Sequence, residues 1–272
     1  MRIKEIKKNK NGKYKIILDN DEIINTYDDV ILNNGLLFHK EIDSELLNKL
    51  NAETNYYEIY NKTIKFIEKK LRSKKEIITF LNKNKVGESD KEKIINKLES
   101  IKLINDELFA NAYSQDRINL SSDGPYKIIN DLRKNDISEG IIEKVISKID
   151  EDFIYEKLKK LIIKKIKSNH NKSNYMLKQK IVIDMTNLGY DKEMIIEIID
   201  ENKCSNSNII NNEYKKIYTK FSKKYEGIEL ERLIKNKLIQ KGFSSEEIEN
   251  IEVQKKWFKN HFYFSNDLIE LL

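Results

Sequence analysis

The chain of 272 residues has a single cysteine, Cys204, which excludes an internal disulfide framework and fits a reducing compartment. It has a single proline, Pro125, so little interrupts helices. Its three histidines, His39, His170 and His261, lie far apart and have no ligand partner three or four residues on, so no metal site is expected. No apolar run approaches the roughly 20 residues of a membrane-crossing helix, and Met1 to Lys10 lacks the apolar core of a signal peptide. A cytoplasmic protein without membrane contact is expected. There is no glycine-rich phosphate loop, and Gly124-Pro125 is better explained as a helix start with proline in first position. Carboxylate clusters such as Asp150-Glu151-Asp152 look like solvated caps and faces, and no catalytic constellation emerges. Neither an enzyme nor a cofactor site is expected. What the chain has in abundance is charge, 35% of its residues, with 51 Lys and Arg against 45 Asp and Glu.

It also has a repeat. Leu81, Leu132, Met185 and Leu238 stand 51, 53 and 53 residues apart. Four residues before each anchor is an isoleucine (Ile77, Ile128, Ile181, Ile234), and five after it a bulky apolar side chain (Val86, Ile137, Tyr190, Phe243). Fixed offsets mark a repeated supersecondary unit. An apolar pair at i and i+4 shares one helix face, and Gly189 and Gly242, four past the last two anchors, can end a helix in the left-handed conformation. A second helix then opens at Ser138, Asp191 or Ser244, with Glu247 completing a capping box with Ser244. Ile142, Ile195 and Ile248, with Val145, Ile198 and Ile251, supply its apolar stripe. In the first unit the connection reads as about three residues longer, with Ser89 and Glu92 as its capping box and Ile94 and Leu98 as its stripe. A further helical stretch precedes each pair: Tyr60 to Lys70, Asp106 to Asn119, Phe153 to Ser168 and Tyr214 to Tyr225.

The expected fold is mainly α, an elongated tandem array of three-helix, helix-turn-helix-like repeats with a small β-rich N-terminal module. Residues 1–50 form that module, followed by repeats over 51–105, 106–151 and 152–204 and by a fourth repeat with the C-terminal tail over 205–272. Arg2 to Lys8, Lys13 to Asp19 and Glu22 to Asn25 read as strands, joined at Asn11-Gly12 and Asp19-Asn20-Asp21. Tyr27 to Asn34 reads as a short helix ending at Gly35, and Asp43 to Leu50 as another. Four units, each advancing about two helix diameters, would make a rod on the order of 80 Å long.

Charge is unevenly spread. Residues 56–105 hold 13 Lys and Arg against 7 Asp and Glu, whereas residues 106–150 hold 6 against 9. Lys62, Lys65, Lys69, Lys70, Arg72, Lys74 and Lys75 crowd the joint between the first two helices of the first repeat, and Lys159, Lys160, Lys164, Lys165 and Lys167 do the same in the third. Such stripes suit a phosphate backbone, although a lysine-rich protein also carries solvated lysines for no further purpose. The helices that would enter a major groove argue against a sequence-reading repressor, because they carry Glu139 and Glu143, Glu193, Glu197 and Asp200, and Glu246, Glu247 and Glu249.

Several local sequences point to one family. Lys70-Leu71-Arg72-Ser73-Lys74-Lys75-Glu76-Ile77, Leu103-Ile104-Asn105-Asp106-Glu107-Leu108-Phe109-Ala110, Arg117, and Gly124-Pro125 with Ile128 and Leu132 strongly resemble the RecX family of bacterial recombination regulators. The likeness covers nearly the whole chain, in the longer form with an N-terminal extension and a fourth repeat. Asn135-Asp136 departs from the Lys-Gly usual in the family, which puts the local helix cap in question. The resemblance implies a protein that is not an enzyme but binds the RecA recombinase and its filament on single-stranded DNA, suppressing filament growth, ATP hydrolysis and strand exchange. It also implies weak binding to DNA itself. A monomer is expected. The alternative is a nucleic-acid-binding regulator that acts without RecA.

Contacts are expected from Lys69, Lys70, Arg72, Lys74 and Lys75 with Lys62 and Lys65, from Arg117 and Arg133 in the second repeat, and from Lys164, Lys165 and Lys167 in the third. Arg72 has a local alternative, an ion pair with Glu76 one turn on. Ser73 and Glu76 form a capping-box pattern, Asp106 reads as the cap of a helix beginning near Glu107, and Phe109 and Ala110 read as core.

Overall fold

The computed structural model describes residues 1–9, 12–38, 40–202 and 207–251. Asn11, His39, Cys204, His261 and the C-terminal tail of the fourth repeat lie outside them. The protein is mainly α. In chain order its elements are β1 (Ile3–Lys8), β2 (Tyr14–Leu18), β3 (Ile23–Thr26), α1 (Asp28–Asn33), α2 (Ser44–Glu68), α3 (Lys74–Lys83), α4 (Glu88–Ser100), α5 (Asp106–Leu120), α6 (Pro125–Lys134), α7 (Glu139–Ile146), α8 (Glu151–Lys167), α9 (Asn174–Asn187), α10 (Lys192–Glu201), α11 (Ser207–Phe221) and α12 (Gly227–Gln240). Among the described residues a further helix, α13, runs over 245–251. Two compact units divide the chain: Met1–Ser114 with Asp131–Val145, and Gln115–Asn130 with Ile146–Leu272.

The first unit opens with an antiparallel sheet in the order β1-β2-β3. The period of two sets Ile6, Ile16 and Ile24 in one row across the strands, with Ile16 and Ile24 buried. Residues 40–42 extend the start of β1, Ile3 N–H donating to Lys40 O (2.7 Å) and Ile42 N–H to Met1 O (2.8 Å). α1 ends at Gly35, φ 62°, as its sequence suggests. The two helical segments expected at Asp43–Leu50 and Tyr60–Lys70 are instead parts of one 25-residue helix, α2, capped by Asp43, whose carboxylate accepts Leu46 N–H at 2.7 Å. Nothing between the two stretches breaks a helix, since residues 51–59 contain neither proline nor glycine. Residue 50 thus lies inside α2. A single buried cluster joins Ile3, Ile16 and Leu18 of the sheet to Leu81, Ile94 and Leu98 of α3 and α4.

The repeated offsets have one physical cause, which recurs four times. Each anchor carbonyl accepts the N–H of the apolar residue five positions later: Leu81 from Val86 (3.2 Å), Leu132 from Ile137 (3.2 Å), Met185 from Tyr190 (3.1 Å) and Leu238 from Phe243 (3.2 Å). The residue between, at position four, donates to the carbonyl three before it and has positive φ: Lys85 56°, Asp136 58°, Gly189 87° and Gly242 80°. This is the Schellman ending, which turns the chain sharply and satisfies carbonyls left free at the end of a helix. Asp136 keeps the left-handed turn without the freedom of glycine, so the local helix cap forms as in the other repeats. The anchors and the isoleucines before them are all buried.

The second helix of each pair then opens six residues past the anchor. Asp191 accepts Glu193 and Met194 N–H, and Ser244 and Glu247 form the expected capping box. The first repeat follows the same spacing: α4 begins at Glu88 after Gly87, so Ser89 and Glu92 lie within its first turns and are not its cap. Glycine takes the extended N-cap conformation readily, and the turn before it fixes the length of the connection.

A further regularity ties helix starts to later turns within each unit. Ser73, the capping-box residue before α3, donates its hydroxyl to Asn135 Oδ1 at 3.1 Å. Gly124 N–H donates to Leu188 O (2.7 Å) and Tyr126 N–H to Gly189 O (3.0 Å). Ser173, before α9, donates to Lys241 O at 2.9 Å. Asp106 joins a contact of this kind. It stands in the first turn of α5, whose cap is Asn105, and its carboxylate accepts the N–H of Lys74 at the start of α3 (2.9 Å). Its capping role is therefore real but serves a different helix from the one expected. Phe109 and Ala110 are buried, as their sequence context suggests.

Candidate nucleic-acid interface

The basic stripe of the first repeat is largely matched by carboxylates. Lys62 pairs with Glu58 (3.0 Å), Lys70 with Glu76 (3.2 Å), Lys74 with Glu99 (2.7 Å) and Lys75 with Asp136 (3.0 Å). Arg72 is the most enclosed. Its guanidinium lies 3.9 Å from the Phe66 ring centroid, Phe66 stacks on Phe80 at 4.4 Å, and Nη1 meets Glu76 Oε1 at 3.0 Å. The side chain is only 14% exposed. Burial by itself would raise the Glu76 carboxyl, but hydrogen bonds from Ser73 N–H, Lys70 and Arg72 outweigh it and hold the group below the ordinary carboxylate value. Arg72 thus clamps the α2–α3 joint, the local alternative raised by its spacing from Glu76. Lys65 and Lys69 are exposed and have no ion pair among the described residues.

In the second repeat Arg133 forms a bidentate pair with Glu139, Nε and Nη2 at 2.8 and 2.9 Å. Arg117 lies 3.4 Å from Asp123, a 7%-exposed carboxylate that Lys127 also approaches to 2.6 Å. Some acids of the second helices are paired in the same way, Asp200 with Lys178 at 2.8 Å and Glu249 with Lys235 at 3.8 Å.

α8 offers a different arrangement. Ile154, Leu158, Ile162 and Ile166 bury one face. Lys160, Lys164 and Lys167 line the opposite one, exposed and without an ion pair among the described residues. At 1.5 Å per residue the three ammonium groups are anchored along about 10 Å of helix. With Ile163 and Ser168 they line a shallow, open surface. Lys165, expected in the same stripe, turns away to Asp184 of α9 at 2.6 Å.

Lys157 was not singled out by its sequence context, although a lysine three residues after Ile154 and one before Leu158 stands on an apolar face. Its ammonium donates to Ile118 O (2.6 Å) and Asp123 O (3.1 Å), tying α8 to the last turn of α5 and to the connection that follows it. Burial lowers its pKa, and the nearby Asp123 charge opposes that shift. Tyr190 is fully buried on the same side, and burial, reinforced by Asp123, pushes its phenol up to about 12. Both residues act as packing elements. Among the described residues no group of three His, Cys, Asp or Glu side chains is placed to hold a metal ion, and no helix is long and apolar enough to cross a membrane.

Comparison with known proteins gives concordant likenesses. A family model described as RecX, second three-helix domain, matches residues 105–146. A protein named Regulatory protein RecX from Oceanobacillus iheyensis is 27% identical over 253 residues, covering 89% of this chain and 93% of its own. Relatives of the same name from Streptococcus agalactiae serotype Ia (28% over 257 residues, 92% of this chain and 98% of theirs) and Bacillus cereus strain G9842 (29% over 254 residues, 90% and 94%) are similar along the same extent. A solved structure described as regulatory protein RecX superposes with a TM-score of 0.64 at 24% identity, covering 74% of this chain and 99% of that one, a likeness of fold.

Proposed function

We propose that the chain, similar along about nine-tenths of its length to proteins named Regulatory protein RecX, is a member of the RecX family and a regulatory protein of the cytoplasm that binds the RecA recombinase and its filament on single-stranded DNA. By occupying the filament it slows filament growth, ATP hydrolysis and strand exchange. It acts by binding and carries out no chemistry of its own. The observation that supports this reading is the extent of the likeness: proteins named Regulatory protein RecX match about nine-tenths of the chain.

We assign the phosphate contacts first to Lys160, Lys164 and Lys167 of α8, which no carboxylate neutralises among the described residues, and second to Lys65 and Lys69. A cation already paired gains less from a phosphate than one that faces only water. Arg72 and Lys70 serve the α2–α3 joint in this reading. The test adds the protein to RecA assembled on single-stranded DNA and follows ATP hydrolysis. The wild type should slow it in a dose-dependent way, and Lys160→Glu/Lys164→Glu/Lys167→Glu should need more protein for the same effect. Equal inhibition by the triple variant would move the contact surface elsewhere, and no inhibition by the wild type would remove the RecA reading itself.

A further inference from the structure

Consecutive repeats meet through one kind of contact, in which a helix start touches the turn of the repeat that follows. Ser73, before α3, reaches Asn135 in the second turn. Gly124 and Tyr126, at the start of α6, reach Leu188 and Gly189 in the third, and Ser173, before α9, reaches Lys241 in the fourth. These contacts are close. A Cβ on Gly124 would meet Gly189 O at 2.6 Å, and one on Gly242 would meet Met176 Cγ and Ser173 Oγ at 2.8 Å. Lys75 and Asp136 add an ion pair of 3.0 Å between the first helix start and the second turn.

The three contacts use three helix starts and three turns, whereas the four repeats supply four of each. The turn of the first repeat and the helix start of the fourth are left over. Residues 82–85 of that turn are exposed, and a Cβ on Gly87 would enter open space. At the start of α12 a Cβ on Gly227 would also enter open space, and Ile228 is 71% exposed. Counted from the anchors, Glu226, Ile228 and Glu229 stand where Ser173, Tyr175 and Met176 stand in the third repeat. Lys85 stands where Asp136, Gly189 and Gly242 stand in the later turns.

The two leftover surfaces carry opposite charge. Residues 82–87 hold Lys83 and Lys85 and no carboxylate, and Glu88, the next residue, is taken by Lys91 at 2.6 Å. Residues 225–229 hold Glu226 and Glu229 and no cation, with Lys223 and Lys224 ahead of them. Lys83, Lys85, Glu226 and Glu229 are exposed and have no ion pair among the described residues. We propose that the first turn of one molecule docks on the fourth helix start of a second copy of this chain. Lys85 against Glu229 repeats the Lys75–Asp136 pair with its signs exchanged, and the turn covers Ile228; charge attraction and apolar burial both favour the contact. Each molecule keeps one free surface of each kind, so copies join in series. On a filament such a contact makes binding cooperative, but it requires neither RecA nor DNA and is tested without them, apart from the proposed function.

An interface of one turn and one helix start is small and its association weak, so sedimentation velocity follows the full chain at concentrations up to about 1 mM. The weight-average sedimentation coefficient of the wild type should rise with concentration, and rise less at high salt. Lys83→Glu/Lys85→Glu and Glu226→Lys/Glu229→Lys should each stay at the monomer value, because each variant carries like charges on both surfaces. An equimolar mixture of the two should recover the wild-type rise, since every contact between the two kinds of molecule again joins opposite charges. Far-ultraviolet circular dichroism checks that both variants fold; should either not, Lys85→Ala and Glu229→Ala should each reduce the rise. A wild type that stays monomeric, variants that associate as the wild type does, or a mixture that recovers nothing overturns the proposal. A monomeric wild type whose single tryptophan, Trp257, changes its emission in Glu226→Lys/Glu229→Lys would assign the fourth helix start to the chain's own C-terminal segment instead.

Discussion

Replacing Gly189 by alanine probes the contact on which the second unit depends. Its φ of 87° is a conformation that costs an L-residue roughly 1–2 kcal/mol. A Cβ at this position would also lie 2.3 Å from Lys127 N and 2.6 Å from Lys127 Cβ, atoms at the root of α6 that cannot swing aside, and such overpacking costs roughly 1–3 kcal/mol. Moving α6 to make room strains the bonds from Gly124 N–H to Leu188 O and from Tyr126 N–H to Gly189 O, each contributing about 1 kcal/mol. With both bonds lost, these make a loss of roughly 4–7 kcal/mol. Gly124→Ala should act through the same interface, because its Cβ would meet Gly189 O at 2.6 Å, and the double variant should lose less than the two single losses added together. Gly140→Ala is the control: a Cβ there enters open space within α7 and should be neutral or stabilise by about 0.5–1 kcal/mol. Urea unfolding followed by far-ultraviolet circular dichroism reads the four variants against the wild type. A wild-type midpoint for Gly189→Ala would refute the account of the joint.

Lys85 holds the same left-handed position in the first repeat without glycine's freedom, at φ 56°; Lys85→Gly should stabilise by about 1 kcal/mol and raise the unfolding temperature, and a decrease would contradict the strain argument. Glu213 sits at 5% side-chain exposure between Lys216 and Lys241, and hydrogen bonds from these two lysines hold its carboxyl below the ordinary 4.5. A depressed folded value stabilises the protein above the unfolded value and ceases to do so as pH falls through the folded one. The stability gap between wild type and Glu213→Gln should therefore be full at pH 7 and close as pH falls below about 4.5. A gap that is constant down to pH 3 would show that the ion pairs contribute nothing.

The repeated joints could be read from the sequence because their causes are local. The buried residues at fixed offsets and the turn between them all lie within about 14 positions of each anchor, and the apolar period reports the buried face directly. Where the reading failed, the deciding contact was not local or a local pattern was misleading. Ser89 and Glu92 mimic a capping box inside a helix that Gly87 had already opened. Asp106 caps a helix 32 residues upstream, which spacing along the chain cannot reveal. The single helix α2 was divided because its middle carries tyrosines, asparagines and glutamates with no steady apolar stripe; Tyr57 and Tyr60 are nevertheless buried and pack edge to face with ring centroids 6.3 Å apart. The basic stripe was legible as a count of lysines but not as a field, since the carboxylates that meet Lys74 and Lys75, Glu99 and Asp136, lie 25 and 61 residues away. α8 escaped this neutralisation on one face only, and which face that is follows from its four buried apolar residues.

Affinity for RecA-coated single-stranded DNA, compared with affinity for the same strand bare and at the same salt concentration, tests the central claim most directly. The protein should bind the RecA filament markedly more tightly, because on this account the filament supplies protein contacts in addition to phosphates. Equal affinity for coated and bare strands would contradict it and leave a nucleic-acid-binding regulator that acts without RecA.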